Sequence, residues 1–240
     1  MWFFPKRRSL RESGIFQGFT EWHCHLLPGV DDGIKTLDES LKTLCLYEEA
    51  GIRTVWLTPH IMEDIPNTPA QLRERFGELQ QAYKGNIKLH LAAEHMLDAL
   101  FEERLEANDL LPIGEEGNHL LVETSYFNPP MDLKGMLKRI QAKGYHPLLA
   151  HPERYVYMDE RDYQELKDRD IKFQLNIPAL VGMYGERVQK KAQQLLKAGM
   201  YTCMGNDTHT HRFFASLLDA KLPEKELEKL LEIQSSNSIS

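Results

Sequence analysis

The stretch "EWHCHLLPGVDDG", residues 21–33, sets two histidines on alternate positions, breaks at a Pro-Gly pair and at once presents two adjacent aspartates. Alternate residues of an extended strand share a face, so His23 and His25 can meet one ion while Cys24 points the other way into the core. Further along, His60, Glu94, Glu123, His151, Asp207 and His209 each stand at or just past the end of a short apolar run. Imidazole and carboxylate without thiolate are the donors of manganese, iron or zinc sites. Singly, each residue has a plainer use: a strand-end histidine caps or packs, His151-Pro152 makes a turn, a terminal glutamate reaches water. Their recurrence at run after run, with no Lys or Arg in those places, points to metal. The other histidines are expected to be structural: His90 lies inside a run, His119 and His146 begin runs, and His95 and His211 merely follow candidate ligands.

Such convergence needs elements that end on one side. The runs "FTEWHCH", "TVWLTPH", "IKLHLAAE", "HLLVETS", "HPLLAH", "IKFQLNI" and "MYTCMGND" read as buried strands closed by a polar residue. Helical patterns lie between them. In "TLDESLKTLCLYEEAG" an apolar stripe of Leu37, Leu41, Leu44 and Tyr47 ends at Gly51, and in "PAQLRERFGELQQAYKG" Leu72, Phe76, Leu79 and Tyr83 end at Gly85. "MDLKGMLKRIQAKG" and "GERVQKKAQQLLKAG" repeat the device. Strands alternating with helices imply parallel pairing through right-handed crossovers. Neither G-x-G-x-x-G nor G-x-x-x-x-G-K-[ST] is present, which favours a barrel over a doubly wound sheet. In a barrel the polar strand ends share the rim where active sites are built.

The 240 residues, 42% hydrophobic and 27% charged, are ordinary for a soluble domain. A formal charge of −7 argues against general affinity for nucleic acid. Cys24, Cys45 and Cys203 have no paired spacing, and with no secretory leader in view the expected compartment is a reducing cytoplasm. No stretch is apolar enough for stable membrane insertion. Trp2, Phe3 and Phe4, ahead of Lys6, Arg7 and Arg8, could touch a membrane surface or a partner, although a frayed or packed terminus is the simpler expectation. No linker divides the chain. "LPEKELEKLLEIQSSNSIS" reads as an amphipathic helix running into a disordered polar tail.

With "HCHLLPGVDDG", "TPH", "AAEH", "LVETS", "AHPERY" and "GNDTH" assembled, the chain resembles the PHP (polymerase and histidinol phosphatase) domain family from about Phe19 to about Leu218. More narrowly it resembles the metal-dependent protein tyrosine phosphatases of bacterial capsule and exopolysaccharide operons. The resemblance implies a distorted seven-stranded (β/α)7 TIM-like barrel of the PHP type. Residues 1–18 would form an N-terminal arm, 19–222 the barrel domain and 223–240 a C-terminal helix and polar tail. It further implies three divalent metal ions, usually Mn2+, with Fe or Zn as alternatives. His23, His25, Glu94 and Asp207 would hold the first. Glu94 would bridge to the second, completed by Glu123 and His151. Asp32, His60 and His209 would hold the third, with Asp31 stabilising the turn. The implied partner is a phosphotyrosine protein, in this family a bacterial tyrosine kinase.

Adjacent divalent ions lower the pKa of a bound water toward about 7 and polarise a phosphoryl oxygen. Charge on the non-bridging oxygens suits arginine, whose fork matches phosphate. Arg154 and Arg212 each follow a candidate ligand by three residues and are the expected phosphate contacts. Asp207 or His209 could donate a proton to the leaving group. Tyr126, Phe127 and Tyr155 offer aromatic surface for a phosphotyrosine ring. A thiolate phosphatase is excluded because no cysteine begins a C-x5-R loop. A carboxylated-lysine amidohydrolase lacks its strand-end lysine. A small-molecule phosphomonoesterase of the histidinol phosphatase type and a non-catalytic metal-binding module remain as alternatives.

Overall fold

The computed structural model describes residues 6–236 and Ile239. The strands are β1 (Arg7–Ser9), β2 (Thr20–Cys24), β3 (Thr54–Leu57), β4 (His60–Ile61), β5 (Lys88–Leu91), β6 (Glu94–Met96), β7 (His119–Glu123), β8 (His146–Ala150), β9 (Lys172–Asn176), β10 (Cys203–Gly205) and β11 (Lys221–Pro223). The helices are α1 (Leu10–Ser13), α2 (Leu37–Ala50), α3 (Pro69–Ala82), α4 (Ala99–Ala107), α5 (Leu133–Ala142), α6 (Glu160–Asp168), α7 (Ile177–Leu180), α8 (Glu186–Lys197), α9 (His211–Asp219) and α10 (Glu224–Ser236). Each expected strand and helix is present. Helices α1, α4, α6, α7 and α9 and strands β1 and β11 add to them. Of these, α6 is so charged that only Tyr163 and Leu166 turn inward.

The fold is mixed α/β, with a curved, half-barrel parallel sheet. One sheet runs β10-β9-β8-β7-β6-β4 and another β2-β3-β5, every ladder parallel. The expected strands ending at His60 and Glu94 are each broken in two. Pro59 has no N–H for the ladder, and Ala92-Ala93 interrupts the other. The halves stay in line, since the Ala92 N–H donates to Leu57 O at 2.8 Å and the Glu94 N–H to Pro59 O at 3.1 Å. At the far side β2 meets the segment after β10. The Asp207 N–H donates to His23 O at 2.7 Å and the His25 N–H to Thr208 O at 3.0 Å.

Helix starts follow local chemistry. Thr68 and Gln71 form a capping box at α3 with Pro69 in its first turn, and Thr36, Asp98, Asp132, Asp159 and Thr210 cap α2, α4, α5, α6 and α9. The α2 stripe differs from expectation. Its buried face is Ser40, Thr43, Leu44 and Tyr47, while Leu37 stays exposed. The polar members turn inward to bond: Ser40 Oγ donates to Leu26 O at 2.7 Å and the Tyr47 hydroxyl to Thr208 Oγ1 at 2.7 Å.

Both chain ends are built onto this frame. β1 pairs antiparallel with β11, and Leu10, Ile15 and Phe16 are buried. Trp2, Phe3 and Phe4 lie outside the described residues. So do 237, 238 and 240 of the expected disordered tail, but Ile239 corrects that expectation: it is buried with Trp22, Trp56, Ile113 and Cys203. Among the described residues, no helix is long and apolar enough to cross a membrane.

Candidate metal centre

Strand β2 ends with His23 and His25 on one face, their Nε2 atoms 3.2 Å apart. Cys24 is buried on the other face, its Sγ 3.5 Å from Trp56 O. The following loop closes tightly: the Ile34 N–H donates to His25 O at 3.0 Å and the Gly29 N–H to Ile34 O at 2.8 Å. Gly33 is obligatory, because a Cβ there would lie 2.3 Å from His25 O. The turn returns both aspartates to the rim. Asp31 accepts from His25 Nδ1 at 2.8 Å, from the Gly33 N–H at 2.9 Å and from the His60 N–H at 3.1 Å, meeting the expectation that it serves the turn. Asp32 stays largely exposed, with Oδ1 3.3 Å from His209 Nε2 and 3.5 Å from His60 Nε2.

Glu94, at the start of β6, lies at the centre. Its Oε2 is 3.0 Å from His23 Nε2, 3.3 Å from His25 Nε2 and 3.2 Å from His60 Nδ1, and its Oε1 is 2.9 Å from His151 Nε2. Glu123 lies 3.1 Å from His60 Nδ1 and 3.8 Å from His151 Nε2. Asp207 Oδ1 is 3.3 Å from His25 Nε2, 3.4 Å from His209 Nδ1 and 3.5 Å from His23 Nε2. Thus His23, His25, Asp32, His60, Glu94, Glu123, His151, Asp207 and His209 all converge. They form overlapping candidate metal-binding groups: His25–Asp32–His60–His209, His23–His25–Asp207, His23–Glu94–His151 and His60–Glu94–Glu123. The implied third set stays together and is joined by His25. His151 groups with His23 and Glu94, whereas Glu123 groups with His60.

The donors suit cations. Glu94 Oε2, Glu123 Oε1 and His60 Nδ1 are buried without a hydrogen-bond partner, which is costly unless something positive or protonated meets them. In the metal-free protein protons fill that role. Burial opposes a charged His23, yet Glu94 and Asp207 outweigh it and its pKa rises to about 9. His25 is likewise pushed well above its ordinary value, burial being outweighed by Asp31, Asp207 and Glu94. His151 and Asp207 both adopt left-handed backbone, φ 34° and 49°, a strain stored where the strand ends aim their side chains into the cluster.

Three acceptors set the imidazole tautomers, of which Gln174 was not singled out from sequence. Gln174 Oε1 lies 2.9 Å from His23 Nδ1, Asp31 holds His25 Nδ1, and Asp207 O lies 2.9 Å from His209 Nδ1. Each pairing fixes a proton on Nδ1, so that Nε2, once deprotonated, offers its lone pair to the cluster. Glu21 is buried and accepts from the His23 N–H at 3.1 Å, the Asn206 N–H at 2.8 Å, the Asn206 amide and the Tyr47 hydroxyl at 3.3 Å. Burial raises its pKa to about 7 despite those donors. Strict alternation would put Glu21 on the face of His23 and His25, but the strand register shifts between Glu21 and Cys24, and Glu21 meets Tyr47 of α2 instead. Asn176 donates to Asp207 Oδ2 at 3.0 Å, and buried Glu153 accepts from the Asn176 N–H at 2.9 Å and the Tyr201 hydroxyl at 3.0 Å.

Arg154 reaches the site. Its Nη1 donates to Asp207 Oδ2 at 2.9 Å, and its guanidinium lies between two rings, 4.1 Å from the Tyr126 centroid and 4.7 Å from that of Tyr184. Arg212 is exposed in the first turn of α9, with no ion pair among the described residues. Tyr155 corrects the aromatic-surface expectation. It is fully buried, its hydroxyl donating to Ala150 O at 2.9 Å, whereas Phe127 is 71% exposed. The remaining histidines stand apart, as expected. His95 is buried against Phe101, His90 stacks on Trp56, His119 faces His146, and the His211 N–H meets Glu39. Burial raises the Cys24 and Cys203 thiols well above their usual pKa, so neither offers a thiolate.

The profile of the family described as "Capsular polysaccharide synthesis, CpsB/CapC" matches residues 19–221. Tyrosine-protein phosphatase YwqE of Bacillus subtilis (strain 168) is 28% identical over 193 residues, 78% of this chain and 76% of that protein. Tyrosine-protein phosphatase CpsB of Streptococcus pneumoniae is 28% identical over 200 residues, 78% and 81% of the two chains. Among solved structures, those of YwqE and CpsB, described as unique metal-dependent tyrosine phosphatases, superpose with a TM-score of 0.74 at 22% identity, over 92% of this chain and 88% of the other. The Escherichia coli phosphotriesterase homology protein, with phosphate in its active site, gives a TM-score of 0.53 at 12% identity, covering 92% of each chain.

Proposed function

We propose, for a chain that belongs to the CpsB/CapC family of capsular polysaccharide synthesis proteins, that it is a metal-dependent phosphatase hydrolysing phosphotyrosine in proteins. The observation that carries the reading is the burial of Glu94, Glu123 and Asp207 among five imidazoles, with Glu94 within 3.3 Å of four of them. Divalent ions held by these residues supply a water of lowered pKa and polarise a phosphoryl oxygen. The chain's own part is to bind and orient. Arg154, fixed between Tyr126 and Tyr184, receives the non-bridging oxygens in its fork. His209 is the group at hand to give a proton to the leaving oxygen; Asp207, whose burial is outweighed by His23, His25 and His209 so that its carboxyl lies well below its ordinary pKa, stays ionised. That demand is modest, since a tyrosine phenol has a pKa of about 10.

The finer reading comprises three divalent ions, Mn2+ first, with Fe or Zn fitting the same donors. His23, His25, Glu94 and Asp207 take the first, Glu94, Glu123 and His151 the second, and Asp32, His60 and His209 the third. The close grouping of Asp32, His60 and His209 supports the last set. A distorted seven-stranded PHP-type barrel is supported by the in-line halves β3/β4 and β5/β6 and by the bonds that tie β2 to Asp207 and Thr208. We take 19–222 as the barrel domain between a 1–18 arm and a 223–240 helix and tail. The substrate is a tyrosine kinase of capsular or exopolysaccharide synthesis, met in the cytoplasm. The test compares metal-loaded protein on a phosphotyrosine peptide, the matching phosphoserine peptide and a free amino-alcohol phosphate. Preference for the first is expected; preference for the last would replace this reading with a small-molecule phosphatase.

A further inference from the structure

We infer that the loop after β7, with the groove it forms against α6, is where the polypeptide flanking the phosphotyrosine docks, and that the groove takes an apolar side chain of that polypeptide. The inference rests on the phosphotyrosine reading above. The loop begins inside the metal centre: Glu123 ends β7, and Tyr126, three residues on, covers the Arg154 guanidinium and faces the His151 ring at 5.7 Å. It is fastened to the segment after Arg154, with the Val156 N–H donating to Tyr126 O at 2.8 Å and the Thr124 and Tyr157 hydroxyls 2.5 Å apart. Beyond that anchor it turns apolar side chains to solvent. Phe127 is 71% exposed and Met131 fully so, two of the four large hydrophobics left exposed among the described residues. Clustered exposed apolar residues beside an active site mark a binding surface.

Next to them lies a groove of about 360 Å3 lined by Pro129, Pro130, Leu133, Tyr157, Met158 and Leu166. Its rim charges are already engaged. Asp132 pairs with Arg139 at 3.1 Å, Lys134 with Glu165 at 2.6 Å, and the Asp162 carboxylate accepts the Asp159 N–H at 2.8 Å. An anionic occupant would lose water there and gain no free cation, whereas an apolar one loses nothing. Pro129-Pro130 restricts the loop in advance, lowering the ordering cost of docking. The groove adjoins the metal centre through its own wall: Tyr157, which lines it, bonds Thr124 next to Glu123, and Pro129 follows Tyr126 by three residues, so the occupant is taken as part of the same substrate chain.

The test uses the full, metal-loaded protein and two peptides carrying a non-hydrolysable phosphonate analogue of phosphotyrosine. They are identical except that apolar residues flanking the analogue in one are serine in the other. Fluorescence anisotropy is expected to give about tenfold tighter binding of the apolar peptide, as for a single well-buried anchor. The double variant Phe127→Ser/Met131→Ser should abolish the difference, and its ratio of phosphopeptide to phenyl phosphate kcat/KM should fall by about the same factor. Equal affinity of both peptides for the wild type, or a difference that survives in the variant, overturns the inference. So does a changed sedimentation coefficient with unchanged peptide affinity, which would give the patch to a second copy of the chain. Absence of phenyl phosphate hydrolysis by the wild type would instead defeat the phosphatase reading, while the anisotropy still decides the docking.

Discussion

Replacing Asp31 by asparagine should weaken metal binding without unfolding the protein, although Asp31 is not itself among the candidate ligands. Its Oδ2 accepts from His25 Nδ1 at 2.8 Å and the His60 N–H at 3.1 Å, and its Oδ1 from the Gly33 N–H at 2.9 Å. Asparagine offers one oxygen and one NH2 in the same shape. With the NH2 in the Oδ2 place, His25 avoids a donor–donor clash only by moving its proton to Nε2. That is the atom facing Glu94 and Asp207 at 3.3 Å, and once protonated it cannot ligate. With the NH2 in the Oδ1 place, the Gly33 N–H faces a donor instead. An unmet buried donor costs about 1–3 kcal/mol, or about 5- to 150-fold in a binding constant. Loss of a group orienting a metal-bound histidine costs about 10–100-fold. The ranges coincide, so Asp31→Asn should lower metal affinity by about one to two orders of magnitude. Competition against a chelator of known affinity reads this directly, with circular dichroism as the fold check. A folded variant that binds metal within about twofold of wild type would refute the claim that Asp31 orients His25.

Metal binding at neutral pH should release protons, because His23, with a pKa of about 9, and His25, held higher than usual, are protonated in the metal-free protein and must be neutral to ligate. Apparent affinity should therefore rise with pH up to about 9, while the stability these raised pKa values give the metal-free fold is full below the unfolded value of 6.5 and lost on the way to about 9. Calorimetry in buffers of different ionisation enthalpy counts the protons, and a count of zero would contradict the assignment. Arg154→Lys keeps the charge but loses the two-point contact and the fit between Tyr126 and Tyr184. It should lower kcat/KM on aryl phosphate by about tenfold or more with metal content unchanged; full activity would remove Arg154 from the phosphate grip. Cys24→Ser should retain activity and His25→Ala should not; a folded, metal-loaded but inactive Cys24→Ser protein would revive a thiolate mechanism.

The candidate ligands were legible because a residue closing a parallel strand has one rim to face, so a polar residue ending an apolar run is a readable signal. Gln174 and Asn176 close β9 in the same way, but a neutral amide is ambiguous until His23 and Asp207 are seen to meet it. Tyr155, in the rim loop "HPERY", is expected from sequence to offer aromatic surface. The turn Pro152–Arg154, entered through the left-handed His151, points it inward instead. The strand breaks at Pro59 and at Ala92-Ala93 went unread in runs whose hydrophobicity continues across them.

The central claim is that the clustered histidines and carboxylates work by holding metal, apart from the apolar core that holds the fold. The most direct measurement strips the protein by chelation, verifies the loss by elemental analysis, and follows phosphotyrosine-peptide hydrolysis together with circular dichroism. Manganese, iron and zinc are then returned separately. The account predicts a protein that stays folded, loses hydrolysis and regains it with at least one of these ions. Undiminished hydrolysis by verified metal-free protein would contradict it.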